Sequence, residues 1–260
     1  MELLTWIILF SLLGGVLSVL AASVFLMIPD PWRNRVMPHS VSFAIGALLG
    51  AAFLALLPHA VSGYYRLEIH DLGLTVLIGM LSFFLLEKMV IWRHCHSTHC
   101  EAHDPNHQHN EHKAAGSLIL IGDGLHNLVD GVLIAAAFMT DIHLGVVTSL
   151  AVATHEIPQE IGDFAILLNS GFSRAKALLY NVLVSLTTVV GALLAYYSLS
   201  GMLQILPYVL AIAAASFIYI AVADLIPGLH KRTRFSESMQ QISLIIAGVL
   251  VIYFAHSTLH

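Results

Sequence analysis

Long apolar stretches alternate with short polar connections along the whole chain. A helix needs about 20 apolar residues to cross the ~30 Å hydrocarbon core of a bilayer. Eight stretches meet this length, so the pattern predicts an all-α membrane protein in which residues 1–260 form a single transmembrane domain. With ends good to a few residues, the predicted spans are about 3–28, 40–63, 72–92, 114–139, 143–169, 175–199, 202–229 and 240–260.

Two polar strings interrupt the apolar pattern inside the fourth and fifth predicted spans. Each helical residue turns about 100°, so the polar residues of each string share one helix face. The two faces are expected to meet inside the bundle, because polar groups facing lipid would stay unsatisfied. Ionisable residues at this depth cost roughly 2.5–3.5 kcal/mol each and indicate a functional site. The face residues are Asp123, His126, Asn127 and Asp130, then His155, Glu156, Gln159, Glu160 and Asp163.

Composition supports this prediction. The chain is 58% hydrophobic and 10% charged, whereas soluble domains are roughly 25% charged. No basic aromatic patch suggests nucleic acid. Lys and Arg mark the cytoplasmic connections of membrane proteins. All but Arg66 lie in or beside the odd-numbered connections, which predicts that both termini lie outside the cytoplasm.

The chemistry of the two strings favours a divalent transition metal. Carboxylates this close repel one another unless a proton or a cation intervenes. Carboxylate and imidazole without thiolate suit Zn²⁺, Fe²⁺, Mn²⁺ or Co²⁺ rather than Ca²⁺ or Mg²⁺, without choosing among the four. The alternative is a proton relay or a buried hydrogen-bond network without metal.

The connection at 93–113 is rich in histidine and is predicted to be a disordered cytoplasmic loop. Such tracts bind metal by composition, and an inert spacer is the alternative. The candidate loop ligands, which lie alongside Cys95 and Cys100, are His94, His96, His99, His103, His107, His109 and His112.

The paired strings resemble the signature of the ZIP (Zrt/Irt-like) metal transporters. His126-Asn127-x-x-Asp130-Gly131 matches the fourth-span motif of that family, and HEIPQEIGD at 155–163 matches the fifth-span motif of one subgroup. LLPHA at 56–60 and YIAVADLIP at 219–227 also fit. The resemblance implies two inverted three-helix repeats plus two further helices, and metal movement towards the cytoplasm.

By the same resemblance, a two-metal centre lies between the fourth and fifth helices, with Glu160 among its ligands. The first position would use His126, Asp130 and Gln159, with or without His155. The second would use Asn127, Asp130 and Glu156, with Asp130 bridging. Gln159 departs from the subgroup, which usually has His there, and this leaves one or two metals open. Further candidate ligands are Asp123, Asp163, Asn181 and Ser185; for Asn181 and Ser185 the alternative is hydrogen bonding between helices.

Function is therefore expected to be divalent-metal transport, with Zn²⁺ as the leading cargo, no catalytic residue and no resident cofactor. One alternative is an intramembrane zinc hydrolase, because His155-Glu156 begins a His-Glu-x-x-His motif. Gln159 replaces its second His. A non-transporting metal sensor is another alternative. The expected surroundings are lipid in a bacterial inner membrane, and a homodimer is left open.

Overall fold

The apolar stretches become long helices in the computed structural model, which describes residues 2–63, 65–95, 107–230 and 234–259. Within those ranges eight helices form the bundle, and they contain no strand. The helices are α1 (Leu3–Phe25), α2 (Asp30–Gly50, continued by Ala51–Leu56 and Leu57–Ser62), α3 (Ile69–Cys95), α4 (His107–Thr140), α5 (Ile142–Asn169), α6 (Arg174–Leu199), α7 (Leu206–Tyr219, continued by Ile220–Leu225 and Ile226–Leu229) and α8 (Phe235–Leu259).

The prediction of an all-α membrane protein is confirmed. In the described residues, seven helices are long and apolar enough to cross a membrane. The remaining long helix, α5, has 28 residues but carries the second polar string, which lowers its hydropathy. A helix of that length extends roughly 42 Å, so α5 is long enough to span as well.

Some helix ends differ from the predicted spans. Helix α2 begins at Asp30, about ten residues before the predicted start, because a helix can continue beyond the apolar segment that hydropathy detects. Helix α3 continues to Cys95 and α4 begins at His107, so both reach into the range 93–113. Residues 96–106 of the predicted loop lie outside the described residues, and the metal-binding role of its histidines stays a prediction.

The helices repeat one packing pattern twice. Helix α2 packs extensively on α8, and α3 packs extensively on α7. Burial shows which helices correspond between the two halves. The span windows of α2 and α7 are 61% and 50% buried, those of α3 and α8 are both 11% buried, and those of α1 and α6 are 39% and 33% buried. Helices α1–α3 and α6–α8 therefore match as three-helix repeats, with α4 and α5 between them.

In the described residues three helices contain a π-helical segment; that of α1, Leu13–Leu17, has no proline nearby, whereas those of α2 and α7 each precede one. In α2 a six-residue π-helical segment, Ala51–Leu56, comes just before Pro58. In α7 the π-helical segment Ile220–Leu225 comes just before Pro227. Because proline has no N–H and its ring crowds the carbonyl four residues earlier, the preceding turn cannot keep its regular α-helical bonds. Wider π turns accommodate that loss.

Glycines set the closest helix contact of the bundle, between α4 and α6. A Cβ at Gly131 would overlap the backbone carbonyl of Thr188, and one at Gly191 would overlap that of Leu128. Gly46 and Gly248 meet the backbones of α8 and α2 in the same way. Small residues let membrane helices approach to backbone contact, and α4 is thereby held at a fixed position beside α6.

We expect Gly131→Ala to destabilise the protein by about 1–3 kcal/mol, the usual cost of overpacking a tight contact. The matched control is Gly124→Ala, whose Cβ would lie 3.6 Å from the Val184 side chain, an ordinary contact distance. Thermal unfolding in detergent should show a lower midpoint for Gly131→Ala alone. Equal midpoints for the two variants would contradict the packing argument.

Candidate metal centre

Helices α4 and α5 turn their polar faces towards the interior of the bundle. On α4, Asp123, Asn127 and Asp130 are buried, whereas the intervening Leu125 is 51% exposed. On α5, His155 and Glu156 are buried. Asp141 starts α5, because its carboxylate accepts a hydrogen bond from the Leu144 N–H at 2.9 Å, as N-cap residues do.

Four side chains from the two helices converge into a first group of candidate ligands, made of His126, Asp130, His155 and Glu156. The Nε2 atoms of His126 and His155 lie 3.2 Å apart. Asp130 Oδ2 lies 3.3 Å from His155 Nε2 and 3.8 Å from His126 Nε2. Glu156 Oε1 lies 3.4 Å from His126 Nε2 and 3.8 Å from His155 Nε2.

These separations fit a tetrahedral metal ion. Zinc binds nitrogen and carboxylate oxygen at about 2.0–2.2 Å, which puts neighbouring ligand atoms of a tetrahedron about 3.3–3.6 Å apart. The observed distances of 3.2–3.8 Å bracket that range. The group thus has the ligand types and the spacing of a zinc site.

A second group of candidate ligands adjoins the first and consists of Asp123, Glu156 and Glu160. Glu156 belongs to both groups. The resemblance implied Asp130 as the bridging residue, and that assignment stays a prediction. The structure instead places Asp130 in the first group and brings Glu156 next to both sets of ligands.

The side-chain amides of Asn127 and Gln159 lie beside Asp123. Asn127 Nδ2 donates to Asp123 Oδ1 at 2.9 Å, and Gln159 Nε2 approaches the same oxygen at 3.4 Å. Asn127 Oδ1 accepts from the Thr188 hydroxyl at 2.7 Å. Asn127 and Gln159 therefore orient Asp123 in this arrangement, and their role as metal ligands stays a prediction.

Thr188 is a residue that the sequence reasoning missed. It is fully buried on α6 and fixes the Asn127 amide across the contact between α4 and α6. The sequence spacing could have identified Thr188, because Asn181, Ser185 and Thr188 follow the i, i+4, i+7 spacing of one helix face.

The remaining candidates lie around the two groups. Asn181 and Ser185 are buried on α6. The Ser185 hydroxyl donates to the Val182 carbonyl at 3.0 Å, whereas Asn181 Oδ1 is buried without a hydrogen-bond partner in the described residues. Asp163 lies one turn beyond Glu160 on α5 and is only partly buried, outside both groups.

The His155 ring is held in one orientation. Its Nδ1 lies 3.2 Å from the Ala151 carbonyl, which can only accept, so Nδ1 carries the proton and Nε2 presents its lone pair to the first group. Phe217 of α7 packs edge-on against the ring, with centroids 6.2 Å apart. Such support of the second nitrogen is typical of histidines that bind metals.

Several buried carboxylate oxygens of the two groups lack a hydrogen-bond partner in the described residues, as expected if they bind a metal ion. Asp123 Oδ2 and both carboxylate oxygens of Asp130, Glu156 and Glu160 are buried without a hydrogen-bond partner in the described residues. Nor does any described Lys or Arg pair with them. Buried polar groups are normally satisfied, so these oxygens are arranged for a cation that they can bind directly.

Comparison with known proteins agrees with this geometry. The family model described as ZIP Zinc transporter matches residues 3–115 and 92–256. The chain belongs to the ZIP family. Zinc transporter ZIP13 of Pongo abelii is 32% identical over 269 residues, covering 95% of this chain and 77% of that protein. Zinc transporter ZIP13 of Homo sapiens is 31% identical over 299 residues, covering 95% and 80%.

A more local relative is Zinc transporter ZIP10 of Homo sapiens, 36% identical over 141 residues, which is 52% of this chain and 17% of that protein. The resemblance seen in the two polar strings is confirmed at the level of the family, and the chain is an integral multi-pass membrane protein. These relatives are animal proteins and give no support to a bacterial inner membrane.

Because Glu156 belongs to both groups, we expect Glu156→Ala to weaken Zn²⁺ binding more than Glu160→Ala, which alters only the second. Calorimetric titration of purified protein would measure this, in a background with the loop histidines replaced by serine so that loop binding does not contribute. Equal losses in the two variants would show that Glu156 is not shared.

Proposed function

We propose that this protein carries Zn²⁺, and with it Fe²⁺ or Mn²⁺, across the membrane to the cytoplasm through the centre between α4 and α5. One observation carries the proposal. Two imidazole nitrogens and two carboxylate oxygens converge at zinc-like spacing inside a bundle of membrane-spanning helices. The names of the related zinc transporters support zinc as the leading cargo.

The types of ligand at the centre suit a transported ion, which must be released from the site after it binds. The centre contains carboxylates and imidazoles, whereas structural zinc sites are often built from thiolates that bind tightly. Three of the four side chains are buried, but His126 keeps 21% of its side-chain surface exposed. The His126 ring therefore connects the buried centre with its surroundings. An entering or leaving ion can bind this ring before or after it contacts the three buried ligands.

The inward direction is taken from the family resemblance, and the distribution of positive charge supplies the orientation of the chain. The excess of Lys and Arg in the odd-numbered connections places those connections in the cytoplasm. Both termini then lie outside, and the histidine-rich connection between α3 and α4 lies on the receiving side. Metal moving inward would meet the centre first and the loop histidines afterwards.

A transporter explains the second string better than a zinc hydrolase does. The hydrolase motif needs a second His one turn after His155, and Gln159 at that position approaches Asp123 instead. A catalytic zinc also keeps one coordination position open for water. The first group offers four candidate ligands, enough for a tetrahedral set without water.

Asp130→Ala should abolish zinc transport while the protein still inserts and folds, because it removes a ligand at the middle of the first group. The assay is time-dependent zinc accumulation inside proteoliposomes, read by a trapped zinc-sensitive dye. Asp71→Ala, an exposed carboxylate in the first turn of α3, is the control and should transport normally. Saturable binding by the unmodified protein without lumenal accumulation would refute transport.

Gln159→His should strengthen zinc binding at the second group, because it adds an imidazole ligand beside Asp123. Gln159→Met, which removes the amide at similar size, should not. Competitive titration against a zinc chelator would compare the two affinities in the same loop-substituted background. Unchanged affinity in the His variant would place position 159 outside the metal's reach.

A further inference from the structure

A second pair of histidines lies at the opposite end of the bundle from the histidine-rich connection. His59 stands in the last turn of α2 and His256 in the last turn of α8. Their ring centroids are 5.3 Å apart and the ring planes meet at 70°. Both side chains are partly buried, so the pair sits at the margin between the bundle and its surroundings.

The geometry of this pair repeats that of the metal centre. The rings of His126 and His155 have centroids 5.4 Å apart and an interplanar angle of 85°. Two imidazoles that bind one tetrahedral zinc at about 2.0–2.1 Å have ring centroids about 5 Å apart. The spacing at His59 and His256 is thus that of two histidines sharing a metal ion.

The backbone orients the His59 ring in the same way as the His155 ring. His59 Nδ1 lies 2.8 Å from the Ala55 carbonyl four residues earlier, just as His155 Nδ1 lies near the Ala151 carbonyl. A carbonyl only accepts, so Nδ1 of His59 carries the proton. In the neutral ring the coordinating nitrogen is then Nε2, and the backbone fixes this tautomer before a metal arrives.

The helix that carries His59 also contacts the walls of the centre. The π-helical segment Ala51–Leu56, one turn before His59, packs against α5 and α7, and these helices supply His155 and the supporting Phe217. A metal ion held at His59 would therefore lie on a helix that packs against the two helices carrying His155 and Phe217.

We propose that His59 and His256 bind a divalent transition-metal ion, completed by water, as an outer site that precedes the centre between α4 and α5. Its place in transport rests on the proposed function, whereas its metal binding does not. Two protein ligands with water give a weaker site than four, which suits capture followed by release inward.

The test uses a thiol as a local probe in the full chain, with Cys95 and Cys100 replaced by serine. His59→Cys keeps a metal ligand at that position, and an impermeant maleimide measures its reactivity. We expect micromolar Zn²⁺ to slow alkylation several-fold, and His256→Ala in the same protein to remove this protection. The reciprocal variant His256→Cys, paired with His59→Ala, repeats the test if the first variant folds poorly.

Ser257→Cys provides the matched control, because Ser257 is exposed and adjacent to His256; zinc should leave its alkylation unchanged. Protection that survives loss of the partner histidine, or no protection in either reciprocal variant, would overturn the outer site. Alkylation does not depend on transport. Protection without zinc uptake would therefore count against the proposed function alone, and uptake without protection would count against the outer site alone.

Discussion

Mutual repulsion of buried carboxylates is the constraint around which this bundle is organised. Asp123, Asp130, Glu156 and Glu160 are held together away from water, and in the described residues no Lys or Arg compensates them. Such groups would separate or protonate if the helices could move apart. Two contacts keep α4 from moving away from α6: the close approach at Gly131 and Gly191, and the buried hydrogen bond from Thr188 to Asn127. Packing therefore maintains an arrangement of negative charge that a divalent cation relieves.

Much of this arrangement could be predicted from residue spacing. Hydropathy gave the eight helices, and the 3.6-residue period placed the polar residues of each string on one face. Spacing within a helix says nothing about the rotation and axial offset between two helices. Those depend on contacts such as Gly131 against α6, so the sequence could not indicate that Glu156 joins both groups or that Gln159 approaches Asp123. Helix ends such as Asp30 were also missed, because hydropathy detects the membrane segment rather than the helix.

The twofold repetition of the fold gives α2 and α7 the same backbone irregularity. In α2 and α7, the two most buried helices of the repeats, π-helical turns precede Pro58 and Pro227. Non-helical or widened backbone is tolerated at membrane depth only where protein or water satisfies it. Each segment has one buried side, with Ala51 and Ala221 fully buried while Phe53 and Val222 are exposed, and irregular helices at corresponding positions of two repeats are typical of transporter binding regions.

The single-residue connection between α4 and α5 has a consequence for how the protein reaches the membrane. Only Asp141 separates Thr140 from Ile142, and α5 is too polar to partition into lipid by itself. Each ionisable group carries a cost of roughly 2.5–3.5 kcal/mol on insertion scales, which the carboxylates and histidines reduce by facing one another. Insertion of α4 and α5 as one hairpin would lower this cost, and it would bring the candidate ligands of the two helices together at that step.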